Sequence, residues 1–348
     1  MSVQLTFHIV YVPGSVAYLL PFVATLLRWS PCRFRLVANG CTAAEVALLQ
    51  ARCAGEARLE LLVLPTNRPL AHHDALNYLQ ARCQEDYFAF MDSDILATGL
   101  FMDAIAPHLN AHAGIFAGAP LWMRPTDRIF RPEYDVVCGE HDRTAAGLPL
   151  GGTFFAIYDN RALTDFIHAQ GMGFEMRGWS QIPATLRPWL AERDLASPHH
   201  WFDTGKVLNL ALQYQGATLA VLDSPDLVHL GGLSFIAKRN WYAAEKGLRG
   251  VGGDVYRTLR AAYGGLRRRL RNDPVNRSRK LPFGPRRRRY GPYFSALLAA
   301  LLDGAPLPSL PAEEDVTVRQ RAALATAAIT ALYHAEQTGK APVGEQPC

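Results

Sequence analysis

The strongest constraint in this sequence is the alternation, up to Met91, of short apolar runs with longer amphipathic ones. Leu5 to Val12 (LTFHIVYV) is an aromatic and β-branched run. Pro13-Gly14-Ser15 stops it, and a helical pattern follows through Arg28. Phe34 to Ala38 is a second strand ended by Asn39-Gly40, and Thr42-x-x-Glu45 is a capping box that opens the next helix. Leu59 to Leu64 is a third strand, Leu70 to Cys83 a helix, and Asp86 to Met91 (DYFAFM) a fourth strand. Strands separated by helices are joined in parallel by right-handed crossovers, so the pattern predicts an α/β fold with a mainly parallel sheet.

Further along, the alternation loosens. Gly114 to Ala119 and Thr153 to Tyr158 read as strands, with a polar stretch rich in Arg, Asp and Pro between them. Met172 to His200 holds Trp179 and Trp189 among Pro, Gly and Arg and predicts an irregular, lid-like subdomain. Thr204 to Gln215 is a helix, and Thr218 to Leu222 a last strand leading to His229-Leu-Gly-Gly232. After about residue 250 the composition shifts to Arg, Gly and Pro, which divides the chain into 1–250 and a basic loop with a helical extension, 251–348. The expected C-terminal helix, 313–337, places Leu324, Ala328 and Leu332 on one face.

With 49% hydrophobic and 19% charged residues the chain is an ordinary globular protein, which excludes a disordered or collagen-like one. Its six cysteines are irregularly spaced with no Cys-x-x-Cys pair, as expected of reduced thiols in the cytoplasm. No basic leader precedes the first strand, and Val16 to Leu27, interrupted by Pro21, is too short to span a bilayer. The net charge of +5 is uneven: residues 257–289 alone are +12 and the remainder is −7. That segment admits three readings: contact with anionic lipid headgroups or a lipid phosphate, a solvated loop, and, least favoured, nucleic acid. Arg267-Arg-Arg269-Leu-Arg271 and Arg286 to Arg289, interleaved with Tyr263, Phe283, Tyr290, Tyr293 and Phe294, fit an interfacial patch at the inner face of a membrane as well as nucleic acid.

No G-x-G-x-x-G follows the first strand and no G-x-x-x-x-G-K-[ST] loop occurs, which argues against a dinucleotide cofactor there and against a P-loop. The main chemical signal is Asp92-Ser93-Asp94, directly after the fourth strand. Ligands of open α/β sheets bind beyond the carboxyl ends of the strands. Two carboxylates there repel unless a cation neutralises them, and Mg²⁺ or Mn²⁺ bound by carboxylates leaves positions open for phosphates. The triplet alone also fits a solvated loop or a helix N-cap. His72-His73 and His199-His200 lack partners at zinc-ligand spacing.

From about residue 5 to 240 the chain resembles the GT-A glycosyltransferases, in particular glycosyltransferase family 2. The resemblance is carried by Asn67, His73-Asp-Ala-Leu-Asn77, Asp92-Ser93-Asp94, Gly151-Gly-Thr-Phe-Phe155, Phe202-Asp203-Thr-Gly205 and His229-Leu-Gly-Gly-Leu-Ser234, in that order. It implies a GT-A fold over 1–250 and transfer of a sugar from a nucleotide-diphosphate sugar, a UDP-sugar foremost, to an acceptor hydroxyl. Asp92, Asp94 and His229 would hold Mn²⁺ or Mg²⁺, and Asp203 would be the general base of an inverting displacement. Val12, Pro13, Asn39, Asn67, His73, Asp74, Asp92, Ser93, Lys238 and Arg239 would line the nucleotide-sugar site, the last two from a loop after the histidine. Gly151, Gly152, Trp179 and Trp201 would face the acceptor. Ala38-Asn39 stands where relatives carry aspartates, and Asp74 where they carry glycine. The residues also leave open a retaining transferase and a non-catalytic nucleotide-sugar or nucleic-acid binding module. Asp203 also fits a helix cap, His229 a core histidine, and the two tryptophans a core role.

Overall fold

Seven of the apolar runs join into one sheet in the computed structural model, which describes residues 5–197, 200–245 and 281–338. Its strands are β1 (Thr6–Tyr11), β2 (Arg33–Ala38), β3 (Leu59–Val63), β4 (Tyr87–Asp92), β6 (Gly114–Ala117), β11 (Phe155–Asp159) and β14 (Leu219–Leu222). They lie in the order β14-β6-β11-β4-β1-β2-β3, parallel throughout except where β11 runs against β4 and β6. Three small assemblies complete the β-structure. β5 (Ile95–Ala97), β7 (Ala119–Pro120) and β15 (Leu227–His229) form one, and β9 (Val136–Val137), β12 (Arg177–Gly178) and β13 (Trp201–Phe202) another. β8 (Ile129–Phe130) and β10 (Arg143–Thr144) pair by themselves.

A central strand covered on both faces needs no polar residue, and β4 (YFAFMD) is apolar until its last position. Phe88 and Phe90 enter one hydrophobic cluster, while Ala89 and Met91 enter the other. Asp92 therefore marks where the strand leaves the core, at the same sheet edge as the ends of β1 and β2.

The helical pattern after β1 is split into α1 (Val16–Leu19) and α2 (Val23–Trp29) by a 3₁₀ turn that carries Pro21 at its start. The capping box forms as expected, Thr42 and Glu45 opening α3 (Ala43–Ala54). α4 (His72–Gln80), α5 (Met102–Ile105), α6 (Asn160–Gln170), α7 (Arg187–Ala191) and α8 (Lys206–Tyr214) follow, and α9 (Leu233–Glu245) succeeds β15.

The C-terminal region corrects the sequence reading. α10 (Gly284–Asp303) occupies part of what reads as a basic loop, and α11 (Val316–Thr338) packs beside it. Together they place Tyr290, Phe294, Leu297, Ala325 and Ile329 into the cluster that also holds Phe7 and Tyr11. Phe283, Tyr293 and Arg286 are buried as well. Arg286 pairs with Asp127, Arg287 with Glu140 and Arg289 with Glu313, so these three arginines of the basic segment have acidic partners within the chain. Residues 257–280 lie outside the described ones. On α11 the buried face is Val318, Ala322, Ala325, Ile329 and Leu332, and Leu324, expected to share it, is 67% exposed. Among the described residues no helix is long and apolar enough to cross a membrane.

Candidate active site

Asp92 is fixed by the sheet: it stands opposite Val10 in the β1–β4 pairing, and its N–H donates to Phe154 O at 2.8 Å. A tight turn through Ser93 and Asp94 then delivers the chain to β5, which pairs antiparallel with β15 in the register His229↔Ile95. That pairing brings His229 to the two aspartates. Its Nε2 is 3.3 Å from Asp92 Oδ2 and 3.2 Å from Asp94 Oδ1. Phe154 stacks on the imidazole, with ring centroids 4.5 Å apart and planes 20° apart, and Trp122 lies at 6.4 Å. Asp94 is 1% exposed and accepts the Leu233 N–H at the entry to α9, while the Asp92 side chain keeps 32% of its surface.

The electrostatics of the trio favour a cation. Burial opposes charge on His229, but the Asp94 and Asp92 carboxylates override it and push its pKa up to about 10. Burial also opposes ionisation of Asp94, and His229 with the Leu233 N–H holds it below its ordinary value. Without another cation, a proton on His229 compensates the carboxylates. Both imidazole nitrogens are buried without a hydrogen-bond partner: the carboxylates lie within ion-pair range but off hydrogen-bond geometry. One ligand atom from each residue lies within 4.8 Å of the others. Two carboxylate oxygens and one imidazole nitrogen, one side of the set open through Asp92, fit a divalent ion such as Mn²⁺ or Mg²⁺.

The other predicted residues divide. Val12 and Pro13 lie at the end of β1, where Ser15 closes the turn by bonding Val12. α9 covers this turn: a Cβ on Gly14 (φ +81°) would come 2.5 Å from Trp241 Cβ. Lys238 and Arg239 therefore sit on a helix, not on the expected loop. Asn39 is 1% exposed and both ends of its amide are engaged with the Leu70 backbone, so it shapes the 64–71 loop and is not free to read a base. Asn67 is exposed in that loop, and His73 lies 3.6 Å from the exposed Asp74 carboxylate on the first turn of α4. Ser93 is buried with its hydroxyl unpartnered. On the side expected to face an acceptor, Gly151 and Gly152 are buried, Trp179 packs against the second cluster, and Trp201 lies against Gly178.

Asp203 precedes α8 and is half-buried. Its Oδ2 accepts the Gly139 N–H at 2.9 Å and its Oδ1 that of Thr204 at 2.8 Å. Beneath it lies a cluster that the sequence does not announce. The fully buried Lys206 Nζ donates to the carbonyls of Gly139, His141 and Gly151, and burial brings its pKa down to about 8. Burial, then Lys206, lowers His141 to about 3. Burial works against Glu140, but Arg287 at 2.9 Å, the Glu140 backbone N–H and the Cys138 thiol override it and hold the carboxyl at about 2. A second missed residue is His72, whose Nε2 lies 3.8 Å from Asp92 Oδ1 at the start of α4. In the sequence it stands out only as half of a His-His pair without partners at zinc-ligand spacing.

No protein-family model and no curated protein matches the chain. Among solved structures it is similar to the galactosyltransferase LgtC in complex with donor and acceptor sugar analogs: 11% identity over 64% of this chain and 74% of that one, TM-score 0.38. It is also similar to S. aureus TarS 1-349: 13% identity, 97% and 92% covered, TM-score 0.40. A third is the mannosyltransferase PcManGT from Pyrobaculum calidifontis in complex with GDP-Man and Mn²⁺: 12% identity, 95% and 83% covered, TM-score 0.40.

Proposed function

We propose that the chain transfers a glycosyl group from a nucleotide-diphosphate sugar to an acceptor hydroxyl with the help of a divalent cation. The observation that carries this reading is the Asp92, Asp94 and His229 trio at the edge where β1, β2 and β4 all end. Asp92, Asp94 and His229 would hold the ion, and when bound it supplies charge stabilisation for a departing diphosphate, worth several kcal/mol. Val12 and Pro13, under α9 with Lys238 and Arg239, and the exposed Asn67 of the loop after β3 would border the nucleotide side. Asp203 takes the acceptor proton, a role worth roughly 10²–10⁴ in rate and giving inversion. The two backbone N–H groups on its carboxylate orient it and leave lone pairs free. A UDP-sugar is the donor this reading favours, and Mn²⁺ or Mg²⁺ the ion.

The test is a panel of nucleotide sugars and nucleoside diphosphates, each with and without Mn²⁺, read by thermal shift and by donor hydrolysis. Metal-dependent stabilisation by one nucleotide, lost in Asp94→Asn, is the expected result, because a ligand of the folded state raises its stability by mass action. No response to any nucleotide defeats the reading. Turnover that is absent while binding persists marks a binding module, and product anomer analysis separates inversion from retention.

A further inference from the structure

Asp92 and Asp94 together carry the two charges that cancel a divalent cation. Once such an ion is bound there, the trio and its ion are close to neutral together, so the negative charge of a diphosphate coordinated by the ion is only partly offset. A cationic side chain from elsewhere in the fold would offset the rest, and α10 presents one. Arg287 stands in its first turns, its side chain 44% exposed, with its Cζ 5.9 Å from the centroid of the Trp122 ring. His229 also neighbours Trp122, with ring centroids 6.4 Å apart. The carboxylate that Arg287 meets is Glu140, at 2.9 Å, and the residue before Glu140 is Gly139, whose N–H holds Asp203. Arg287 is thus linked through Trp122 to the cation trio and through Glu140 to the loop that holds Asp203, and the charges of Asp203 and Asp94 both favour its protonated form.

We propose that Arg287 binds the diphosphate of the donor, and that Glu140 is the internal anion that occupies its guanidinium when no phosphate is present. This inference rests on the donor reading above. An arginine fork suits the exchange because it binds carboxylate and phosphate oxygens in the same planar geometry. Its neighbours in the run are less available: Arg286 is buried against Asp127 and the Trp122 carbonyl, and Arg289 engages Glu313 and the Ala312 carbonyl. Lys238 and Arg239 lie on α9, over the β1 turn, which suits the nucleoside end of a donor better than the region around Asp203.

Two opposite substitutions test the assignment in the full chain, with calorimetric titration of Mn²⁺ alone, UDP with Mn²⁺, and inorganic pyrophosphate with Mn²⁺. Arg287→Gln is expected to leave Mn²⁺ affinity within about twofold and to weaken UDP and pyrophosphate about 10- to 100-fold, with Arg287→Lys intermediate. Glu140→Gln, by removing the competing anion, is expected to tighten both severalfold. A brace that merely holds α10 would behave otherwise, since both substitutions would then weaken binding and lower the melting temperature together. Unchanged UDP and pyrophosphate affinity in a folded Arg287→Gln protein overturns the proposal. If the native chain binds pyrophosphate through Arg287 but no nucleoside diphosphate, the donor reading fails and the anion site stands; if it binds neither, both fall.

Discussion

Gly231 shows how tightly single residues fix the trio. Its φ is +70°, and a Cβ there would lie 1.9 Å from the rim of the Trp122 ring, which is itself completely buried. The Trp122 ring neighbours both His229, with centroids 6.4 Å apart, and the Arg287 guanidinium, at 5.9 Å. Gly231→Ala should therefore both strain the backbone and push the indole against the imidazole, at a cost of about 1–3 kcal/mol. The check is a denaturant titration run beside a Mn²⁺ titration: lower stability with weakened metal affinity is expected, and native values for both would show that the loop relaxes freely. The glycine pair after His229 stands out in the sequence, but its partner Trp122 is more than a hundred positions away, so the reason for it is visible only in the fold.

At the scale of elements, α10 is held to the α/β body by a buried ion pair as well as by its apolar face. Arg286, 8% exposed, donates to Asp127 Oδ2 at 2.8 Å and to Trp122 O at 3.1 Å. Replacing one member of such a pair leaves the other charge unpaired, which typically costs 3–5 kcal/mol. Asp127 keeps Arg124 at 3.0 Å, so Arg286→Met is expected at the low end, about 3 kcal/mol, measured as a shift in urea midpoint at constant slope. A loss under about 1 kcal/mol would mean that Arg124 alone satisfies Asp127. This helix also marks where sequence reading fails. The strands up to Met91 are legible because each is a local run whose burial is written in its own residues. α10 has its apolar positions Tyr290, Phe294, Leu297 and Leu301 at helical spacing, yet four consecutive arginines at its start make the stretch read as a solvated or interfacial patch. Their acids, Asp127, Glu140 and Glu313, come from distant segments. The same holds at the site: Asp92 and Asp94 announce themselves at a strand end, and His229 entered only through the family resemblance. Lys206 and Glu140 carry no local signal, and Arg287 is one of four arginines in a run; what makes them notable is the company that folding gives them.

For the molecule as a whole, the buried charges beneath Asp203 set how stability depends on pH. His141 is 0% exposed, stacked on Tyr134 and set edge-on against Phe130 and Phe283, so rings from two separate segments close over it. The charged groups facing it are Lys206, which lowers its pKa, and Glu140, which raises it; Cys138 is in contact and stays a thiol, because burial pushes its pKa far up. Burial and Lys206 hold His141 at about 3, whereas the unfolded chain takes up that proton near its ordinary value of 6.5. Between those two values the unfolded state binds more protons, so the stability that neutral His141 contributes is fully present above 6.5 and declines as pH falls toward 3. His8, 1% exposed and also lowered by burial, acts in the same direction. His229 does not: its pKa is raised, so it is protonated in both states below 6.5 and its own dependence falls on the alkaline side, toward about 10. Glu140 adds an acid limb, present above its unfolded value of 4.5 and lost as pH falls through about 2. Chemical unfolding free energies measured from pH 7 to 5 should therefore decrease with acid, and His141→Phe, which keeps the ring contacts, should reduce that slope by up to about 1.4 kcal/mol per pH unit. The substitution also removes an acceptor for the Cys138 N–H, which shifts the whole curve without tilting it, so the slope and not the height is the quantity to compare. An unchanged slope would mean that water reaches His141 and that the segments over it do not close as tightly as their packing implies.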